Sequence, residues 1–360
     1  TAIVPDPTGY GRMIRDESGA VTAIVEHRDA TDAQRAIAEI NSGIYAFDGA
    51  LLRGALARLR TDNSQGEEYL TDTLEILRTD GHRVGAMPAE DHHEIHGIND
   101  RVQLATLRRL LNDRICEHWM RAGVTVIDPA TTWIDVTVTV ENDVTIAPNT
   151  QLHGRTRIAT GAVVGPNTTL TDTEVGENAT VLATHATGVE IGPGVAVGPF
   201  SFLRPGTKLA ARSKVGAFCE VKNSNLGIGS KIPHLSYVGD GDIGDGTNIG
   251  AATVFVNYDG QTKSRTTVGD HAFVGCDSML IAPVTVSDGA YVAAGSVITK
   301  DVPPGAMAVA RGTQRNVEGW VGRKRPDSKS AKAAAAAQAA SESSTEPDSH
   351  DERRMDDTAP

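Results

Sequence analysis

The sequence predicts two kinds of structure in one chain, an α/β part up to about residue 100 and a parallel β-helix of hexapeptide repeats after it. The first prediction rests on alternating strand-like and helix-like segments. The second rests on aliphatic residues that recur at about every sixth position from Val140 to Ile298. It is supported by composition, because 37 glycines accompany only 4% aromatic residues, which suits a fold rich in turns.

The α/β part, residues 1–101, reads as the back part of a larger domain. "AVTAIVE" and "NSGIYAF" are typical of strands, whereas "ALLRGALARLR" and "YLTDTLEILRTDG" are typical of helices. The chain opens on "TAIVPDPTGYGR" without a methionine, so we expect it to start inside an element. Part of its sheet would then lack a partner, and we expect weak stability here.

A long helix is predicted to link the two parts over residues 102–122. Either Asn99 or Asp100 is suited to cap its first turn. An apolar stripe at helical spacing is formed by five residues, Leu104, Leu107, Leu111, Ile115 and Trp119.

The β-helix is predicted over residues 123–322. In this fold the lead aliphatic residue of each hexad faces a shared interior, and a small second residue lets the chain turn a corner. Fragments such as "VGPN", "IGPG" and "IGDG" follow that rule. Strands repeat every two residues and helices every 3.6, so neither explains a sustained period of six. The last segment, 323–360, lacks an apolar set to bury, and we expect a disordered tail with transient helix over its alanine run.

Charge and cysteine usage limit the partners. The formal net charge is −12 and no basic stripe is present, which argues against nucleic acid. No apolar run approaches the roughly 20 residues that cross a bilayer, so we expect no membrane insertion. Cys116, Cys219 and Cys276 are odd in number and far apart, which favours a reducing cytoplasm over a disulfide framework.

The hexapeptide rhythm is interrupted between Val256 and Thr267. Insertions in a β-helix fall on one face, often the binding face. Asn257 offers an amide donor, Lys263 a point charge for a phosphate and Tyr258 a flat wall. A solvent loop with a turn at "YDGQ" explains the segment equally well.

Two cations and a histidine mark a second candidate site. Arg204 and Lys222 are eighteen residues apart, which is three hexads, so they should stack on neighbouring coils. Stacked cations repel unless an anion lies between them, and a phosphate fits that role; solvated surface charges are the alternative. His234 in "IPHLSY" lies at an outward corner, although surface histidines without a function are common.

At this point the motifs resemble a known family. "GYGR", "IVEHRDAT", "EINSGIYAF", "QGEEYLTD" and "GINDRVQL", then "RPGTKL", "VKNSNLGIGSKIPHLSYVGDGDIGDGTNIGA" and "VNYDG", look like the bacterial bifunctional N-acetylglucosamine-1-phosphate uridyltransferase and glucosamine-1-phosphate acetyltransferase. The resemblance is collinear from about Pro7 to Trp320.

The resemblance implies a Rossmann-like nucleotidyltransferase part followed by a left-handed β-helix. The β-helix of this family acetylates glucosamine-1-phosphate from acetyl-CoA. The other domain then joins the product to UTP with Mg, which gives UDP-N-acetylglucosamine and pyrophosphate for cell-wall synthesis. It also implies a cytoplasmic homotrimer with active sites between neighbouring β-helices. The alternative is another hexapeptide-repeat acyltransferase acting on a sugar phosphate or nucleotide sugar.

The resemblance also implies roles for individual residues. His234 matches the general base, and Asn257 or a loop N–H would donate to the oxyanion. The sugar-phosphate positions are Arg204, Lys222, Tyr237 and Asn248, with Lys263 beside them. The acetyl-CoA positions are Ala251, Asn257, Tyr258, Cys276, Ala294 and Arg311. The uridyl-sugar positions are Gly11, Glu26, Asn41 and Asn99, of which Asn99 also matches a Mg ligand.

The chain departs from the family pattern in three places. The family's "LAAGxGTRM" loop, its "PK" motif and the Asp that shares the Mg with Asn99 are not in the sequence, so we expect this chain alone to lack uridyltransferase activity. Cys276 stands where Ser is expected, and "GAAT" replaces "GAGT". Both substitutions keep small side chains, so acetyl transfer should survive. Nothing in the sequence activates Cys276 as a nucleophile, which favours a packing or pantetheine-wall role.

Three rival interpretations are weaker. A γ-type carbonic anhydrase needs three clustered zinc ligands, whereas His153, His185, His234 and His271 are scattered. The "HHEIH" segment, residues 92–96, lacks the HExxH spacing of a helical zinc site, which favours a surface strand or loop. An ice-binding rod would need a flat repeated Thr face, whereas here a polar loop breaks the ladder.

Overall fold

The computed structural model describes residues 1–98 and 100–343. It divides into two compact units between Asp172 and Thr173. None of the described helices combines the length and apolar character needed to cross a membrane. Asn99, one of the two candidate helix caps and the candidate Mg ligand, lies outside the described residues.

The first unit begins with a four-stranded antiparallel sheet in the order β1-β4-β2-β3. Its strands are β1 (Ala2–Ile3), β2 (Arg12–Arg15), β3 (Val21–Val25) and β4 (Glu39–Ile40). The helices with it are α1 (Asp32–Arg35), α2 (Gly49–Leu56), α3 (Asp72–Thr79) and a 3₁₀ turn at His92–Ile95. The predicted strand at "AVTAIVE" and both predicted helices are therefore confirmed.

The predicted strand at "NSGIYAF" is wrong, because residues 41–47 form a turn-rich segment. The side-chain oxygen of Asn41 accepts hydrogen bonds from the Gly43 N–H (3.0 Å) and the Tyr45 hydroxyl (2.8 Å). Gly43 has a φ of 73°, which a strand does not allow. A local side-chain-to-backbone turn thus replaces the ladder that β propensity favours.

The apolar side chains of this part surround a cavity of about 530 Å³. Small buried clusters flank the sheet, one around Ala2 and Ile40 and another around Met13 and Ile24. The cavity is lined mainly by apolar residues, among them Met13, Ile24, Tyr45, Leu51, Leu74, Leu77 and Val84. An interior with space of this size loses packing contacts. This supports the expectation of weak stability, which stays a prediction.

The first unit continues with α4 (Arg101–Arg121) and the first coils of a parallel β-solenoid. The strands of these coils are β5 (Thr125–Val126), β6 (Trp133–Ile134), β7 (Thr139–Val140), β8 (Thr145–Ile146), β9 (Gln151–His153), β10 (Arg157–Ile158), β11 (Val163–Val164) and β12 (Thr169–Thr171). Within this unit, β7 pairs with β10, β5 with β8 and then β11, and β6 with β9 and then β12.

The long helix is confirmed, but its predicted apolar stripe is not the buried face. Asp100 caps it by accepting a hydrogen bond from the Gln103 N–H at 2.8 Å. Leu104 and Leu111 are exposed, whereas Asn112 and Cys116 are buried.

The buried face of α4 is polar because it satisfies the backbone around β6. The Asn112 amide donates to the Thr132 carbonyl at 2.8 Å and accepts from the Ile134 N–H at 3.0 Å. The Arg109 guanidinium donates to the carbonyls of Pro129 and Ala130 and lies 4.7 Å from the centre of the Trp133 ring. Hydrogen bonding therefore determines which face of α4 is buried, and hydrophobic periodicity alone does not predict that face.

The second unit consists of further coils and two C-terminal helices. Its strands are β13 (Glu174–Val175), β14 (Thr180–Val181), β15 (Thr184–Thr187), β16 (Glu190–Ile191), β17 (Ala196–Val197), β18 (Ser201–Leu203), β19 (Lys208–Leu209), β20 (Lys214–Ala217), β21 (Glu220–Lys222), β22 (Asn225–Leu226), β23 (Lys231–His234), β24 (Tyr237–Gly239), β25 (Gly241–Ile243), β26 (Asn248–Ile249), β27 (Val254–Val256), β28 (Thr266–Val268), β29 (Phe273–Val274), β30 (Met279–Ile281), β31 (Val284–Val286), β32 (Tyr291–Val292), β33 (Val297–Ile298) and β34 (Met307–Ala308).

These strands form three parallel sheets that run along the coils of this unit. The first sheet contains β13, β16, β19, β22, β25, β28 and β31; the second contains β14, β17, β20, β23, β26, β29, β32 and β34; the third contains β15, β18, β21, β24, β27, β30 and β33. The aliphatic residues that lead each hexad face the interior of the coils, as predicted, and Leu203, Ile232 and Ile249 are completely buried. Each such side chain contributes roughly 1.5–3 kcal/mol of burial free energy. The hexapeptide prediction is confirmed.

The C-terminal segment differs from the predicted disordered tail in its first part. Helices α5 (Trp320–Lys324) and α6 (Lys329–Ser343) are present, and α6 covers the alanine run. Alanine has the highest helix propensity, which explains a helix that has no apolar face to bury. Residues 344–360 lie outside the described residues, and the predicted boundaries at 101, 122 and 322 stay predictions.

We predict that Asn112→Ala lowers the free energy of unfolding by roughly 2–4 kcal/mol, because it leaves the Thr132 carbonyl and the Ile134 N–H buried without partners. Thermal and urea unfolding followed by circular dichroism would measure this. Asn142→Ala is the matched control, because Asn142 is exposed and its side chain bonds, within residues 1–98 and 100–343, to the neighbouring Asp143. Equal loss in both variants would contradict the role assigned to Asn112.

Candidate functional site

The interruption in the repeat is a hairpin inserted between β27 and β28. Asn225 pairs with Asp242, 17 residues later, whereas Gly241 pairs with Thr266, 25 residues later. Within the insertion, Tyr258 and Lys263 form an antiparallel bridge. The predicted insertion is confirmed, and it is an ordered hairpin.

Hydrogen bonds hold the hairpin in one position. The Asp259 carboxylate accepts from the N–H groups of Gln261 (2.8 Å) and Thr262 (2.6 Å), and these bonds lower its pKa. At the base of the hairpin, Arg265 makes a bidentate ion pair with Asp242 (2.6 and 2.8 Å). A bidentate pair fixes orientation as well as distance. It therefore anchors the strand of the hairpin that contains Lys263.

Arg204, Lys222 and Lys263 form a cluster of cations, here called the cation corner. Leu203 pairs with Val221, so Arg204 and Lys222 follow directly on neighbouring coils, as predicted. Lys263 contacts Lys222: hydrogen bonding to Lys222, the charge of Lys222 and the charge of Arg204 lower the pKa of Lys263. Like charges disfavour the protonated form, which identifies this corner as a place suited to an anion.

The sequence analysis missed the carboxylate that faces this corner, Asp240. Its Oδ2 lies 3.7 Å from Lys222 Nζ, and only 8% of its side chain is exposed. It accepts hydrogen bonds from the amides of Asn223 (2.6 Å) and Asn257. Burial acts to raise the pKa of Asp240, but these hydrogen bonds and the charges of Lys222 and Lys263 outweigh it and lower the pKa.

A signal for Asp240 was present in the sequence. It follows Lys222 by eighteen residues, and a search for acidic as well as basic residues at about that interval would have found it. The coil is one residue shorter at this point, since Lys222 pairs with Gly239, and Asp240 therefore lies beside Asn223, from whose amide it accepts. Arg204 likewise has a carboxylate partner, Glu220, at 2.9 Å.

Tyr237 lies on the outer face of β24, next to this corner. A Cβ on Gly239 would collide with the Tyr237 hydroxyl and come within 2.7 Å of the Asn257 amide nitrogen. Only glycine therefore lets the phenol and the amide approach the same backbone position. This groups Tyr237 and Asn257 with Lys222.

His234 lies at a different corner of the same coils, at the end of β23. Its side chain is exposed, and no hydrogen bond to the imidazole is present among the residues that the structure describes. Its carbonyl is fixed, because it accepts from Ser236 Oγ (2.8 Å) and the Ala252 N–H (3.1 Å). These bonds fix the backbone at the corner, and the imidazole extends from it with both ring nitrogens available.

The acetyl-CoA candidates Ala251, Cys276 and Ala294 follow His234 on successive coils, one residue to each coil. The Ala251 carbonyl accepts from the Asp277 N–H at 2.7 Å, and the Cys276 carbonyl accepts from the Gly295 N–H at 2.8 Å. Arg311 then donates to the Ala294 carbonyl at 3.0 Å. We call this set of His234, Ala251, Cys276, Ala294 and Arg311 the histidine corner. Cys276 in it is an exposed free thiol.

The two corners are separated by one short strand. β24 has three residues, Tyr237–Gly239, and a strand rises roughly 3.3 Å per residue, so this strand is about 10 Å long. A single small substrate can therefore contact both.

Three predicted residues are placed differently from the rest of their groups. Asn248 lies on the second sheet, paired with Phe273, away from the third-sheet strands that carry Arg204 and Lys222. Asn257 is at the cation corner and not along the histidine corner. Tyr258 is 54% exposed in the hairpin, where its hydroxyl donates to the Gly260 carbonyl at 2.6 Å.

The uridyl-sugar candidates of the first unit converge around the edge of its sheet. The Asn41 N–H donates to the Gly11 carbonyl at 2.8 Å, and a Cβ on Gly11 would lie 3.2 Å from a Glu26 oxygen. Burial raises the pKa of Glu26, and the charges of Asp29 and Asp72 add to this. Asn99 lies outside the described residues.

The histidine pattern of a carbonic anhydrase is not formed. Among the residues that the structure describes, the metal-capable grouping of His, Cys, Asp and Glu side chains is Asp91, His92 and His93. None of His153, His185, His234 and His271 belongs to it.

We predict that Lys222→Met raises the pKa of Lys263, because it removes the positive neighbour that disfavours the protonated ammonium group. Lysine-selective ¹³C NMR titration between pH 8 and 12 would measure the shift. Lys231→Met, which changes a lysine on the second sheet, is the control. An unchanged pKa of Lys263 in the Lys222 variant would mean that the two lysines do not interact.

Comparison with known proteins shows which family the chain resembles. Residues 1–137 match the nucleotidyl transferase family model. The bifunctional protein GlmU of Streptomyces coelicolor is 65% identical over 335 residues, which is 93% of this chain and 70% of that protein. The GlmU of Thermobifida fusca is 61% identical over 342 residues, covering 95% of this chain and 71% of that protein.

Solved structures add a weaker likeness. LpxA from Acinetobacter baumannii matches at 17% identity with a TM-score of 0.23, over 56% of this chain and 78% of that one, and a likeness at this level carries no argument here. The sequence similarity to the two GlmU proteins is much stronger than this structural likeness, since it spans nearly the whole chain and most of each relative. The chain belongs to the bifunctional GlmU family.

Proposed function

We propose that the solenoid of this chain transfers the acetyl group of acetyl-CoA to the 2-amine of glucosamine-1-phosphate, giving N-acetylglucosamine-1-phosphate. The observation that carries this is the pair of corners on either side of one short strand, one cationic and one holding an exposed imidazole. Glucosamine-1-phosphate carries its phosphate on C1 and its amine on the adjacent C2, so side chains that extend from the two corners would meet these groups on neighbouring atoms. The histidine corner adds a line of small residues along which a long thioester can lie.

The cation corner binds the phosphate. Arg204, Lys222 and Lys263 supply three cations, and Lys263 recovers its proton affinity when an anion neutralises its neighbours. Asp240 and Glu220 keep Lys222 and Arg204 in position without the substrate. A phosphate held by several cations in fixed positions orients the sugar as well as binding it.

His234 acts as the general base. The substrate amine is mostly an ammonium ion at neutral pH, and it cannot attack until a proton leaves. A neutral imidazole takes that proton, the amine nitrogen bonds to the thioester carbon, and the C–S bond then breaks. The sulfur leaves as the CoA thiolate and takes the proton held on the His234 imidazolium, while the nitrogen releases its second proton to solvent.

Asn257 is the proposed donor to the oxyanion formed on the carbonyl oxygen. One N–H of its amide is engaged by Asp240, and an amide nitrogen has a second to offer. Removing one such donor typically costs about 3–4 kcal/mol of transition-state stabilisation. A backbone N–H of the hairpin is the other available donor.

Acetyl-CoA is proposed to lie along the histidine corner. Ala251, Cys276 and Ala294 are small and leave backbone groups accessible, while Arg311 adds a cation suited to the phosphates of CoA. Tyr258 in the exposed hairpin, the remaining acetyl-CoA candidate, would supply an aromatic surface to the ligand from outside this line.

The first unit is proposed to serve the second activity of the family, the transfer of uridyl from UTP to form UDP-N-acetylglucosamine. Gly11, Glu26 and Asn41 would contact the uridyl sugar, and Asn99 would help to hold Mg. Mg prefers oxygen ligands, and the side-chain oxygen of Asn99 is of that kind. Mg would supply charge neutralisation on the phosphates when bound.

A trimer in the cytoplasm is proposed as the working form. Phe200, Phe218 and Leu235 follow one another on successive coils and are about 60% exposed (61%, 59% and 61%), and the two phenylalanine rings stack at 5.2 Å. An apolar column this continuous is typical of an interface. A neighbouring copy could also bring Asn248 to the cation corner, which one chain alone does not do.

We predict that His234→Ala lowers kcat for acetyl transfer by about 10²–10⁴-fold, with little change in KM. Only the neutral imidazole accepts a proton, so the normal rate should rise with pH near neutrality and this limb should vanish in the variant. The assay is transfer of radioactive acetyl from acetyl-CoA to glucosamine-1-phosphate.

A matched variant distinguishes the loss of the general base from the loss of substrate binding. Arg204→Met should mainly raise KM for glucosamine-1-phosphate, because phosphate contacts act on ground and transition states alike. Running the same assay with UDP-sugars tests the alternative of another acyltransferase. A His234→Ala enzyme with normal kcat and the same pH limb would refute the proposed mechanism.

We predict that Leu235→Asp converts the trimer to smaller species, because it places a charge in the proposed apolar interface. Sedimentation velocity would show this, with Thr299→Asp on an exposed position as the control. A chain that sediments as a monomer and keeps full acetyltransferase activity would remove the need for a shared site.

A further inference from the structure

The segment that the sequence analysis set aside, "HHEIH", brings three imidazoles together. His92–Ile95 is a 3₁₀ turn, so the HExxH rule, which describes an α-helix, does not apply to it. The His92 and His93 ring centres are 4.1 Å apart. The His96 ring lies 5.5 Å from the first and 5.4 Å from the second, edge-on to both.

A carboxylate completes the group. Ligand atoms of Asp91, His92 and His93 all lie within 4.8 Å of one another. Asp91 Oδ1 is 2.8 Å from His93 Nδ1 and also accepts from the His93 N–H at 2.9 Å. The other Asp91 oxygen forms an ion pair with Arg114 of α4. The His93 ring is thus oriented by a carboxylate that is itself anchored to a long helix.

We propose that Asp91, His92, His93 and His96 form a binding site for a divalent transition-metal ion of the Zn²⁺ type. Imidazole is a preferred ligand of Zn²⁺, Ni²⁺ and Cu²⁺, whereas Mg²⁺ prefers all-oxygen sites. A histidine whose second ring nitrogen is held by a carboxylate is the usual arrangement in zinc sites. The cluster ends at His96, three residues before Asn99. Its imidazole ligands distinguish it from the proposed Mg position, where the ligand atom is an oxygen.

The arrangement is not shared by the other carboxylate-bound histidine of this unit. His153 has Asp135 at 3.3 Å but is not part of a metal-capable group. It therefore serves as a control for adventitious binding to a single surface histidine.

The test is competition of the whole chain with a chromogenic chelator for Zn²⁺, and separately for Mg²⁺. We expect one Zn²⁺ per chain, no Mg²⁺ bound at this site, and a rise of Tm when Zn²⁺ is added, because the ion binds the folded state. A His92→Gln, His93→Gln double variant should lose this binding by more than 100-fold. Asp91→Asn, which keeps the three imidazoles but removes the carboxylate that orients the His93 ring, should lose about 10–100-fold.

Two controls decide the outcome. His153→Gln should bind Zn²⁺ as the unchanged chain does, and His96→Gln tests the fourth ligand by a single conservative change if the double variant is unstable. Zn²⁺ binding that is absent, or that is the same in the double and His96 variants as in the unchanged chain, would overturn the proposal.

Discussion

The site depends on one constraint, the fixed return of each coil to the same lateral position. Buried aliphatics such as Leu203, Ile232 and Ile249 hold the register, because shifting a strand by one residue would turn its apolar side chains outward. Outer residues one coil apart are therefore forced to be neighbours whatever their charge. Arg204 and Lys222 lie eighteen residues apart and stack on neighbouring coils, and Asp240 directly follows Gly239, the coil partner of Lys222.

This constraint explains how the chain can keep cations close together. Exposed like charges would separate by moving their side chains or backbone, but here the interior packing prevents the backbone from moving. Asp240, almost fully buried, provides the opposing charge, and two amides hold it there. The hairpin then adds Lys263 from outside the repeat. Repulsion within the corner is offset only in part, and this leaves it ready for an anion.

Much of the fold follows from the sequence because its period is simple. The hexads predict the coils, the break predicts the hairpin, and the eighteen-residue interval predicts the stacking of Arg204 on Lys222. The failures have a common cause. Asn112 on α4 and Asn41 in the first unit act through hydrogen bonds to backbone groups that are distant or locally rearranged, and neither propensity nor hydrophobic spacing contains that information. The placement of Asn257 beside Asp240 escaped prediction for the same reason.

Two of the departures from the family pattern, Ala252 and Cys276, lie at or next to the histidine corner. Gly250 must remain glycine, since a Cβ there would lie 2.5 Å from the Cys276 backbone nitrogen. Ala252, which replaces the glycine of "GAGT", has a φ of 58°, where alanine costs roughly 1–2 kcal/mol. Cys276 points to solvent, so exchanging a hydroxyl for a thiol leaves the coil contacts unchanged. The chain therefore keeps glycine where coils touch and varies where a ligand would lie, which is the distribution expected if this corner contacts a ligand mainly through its backbone.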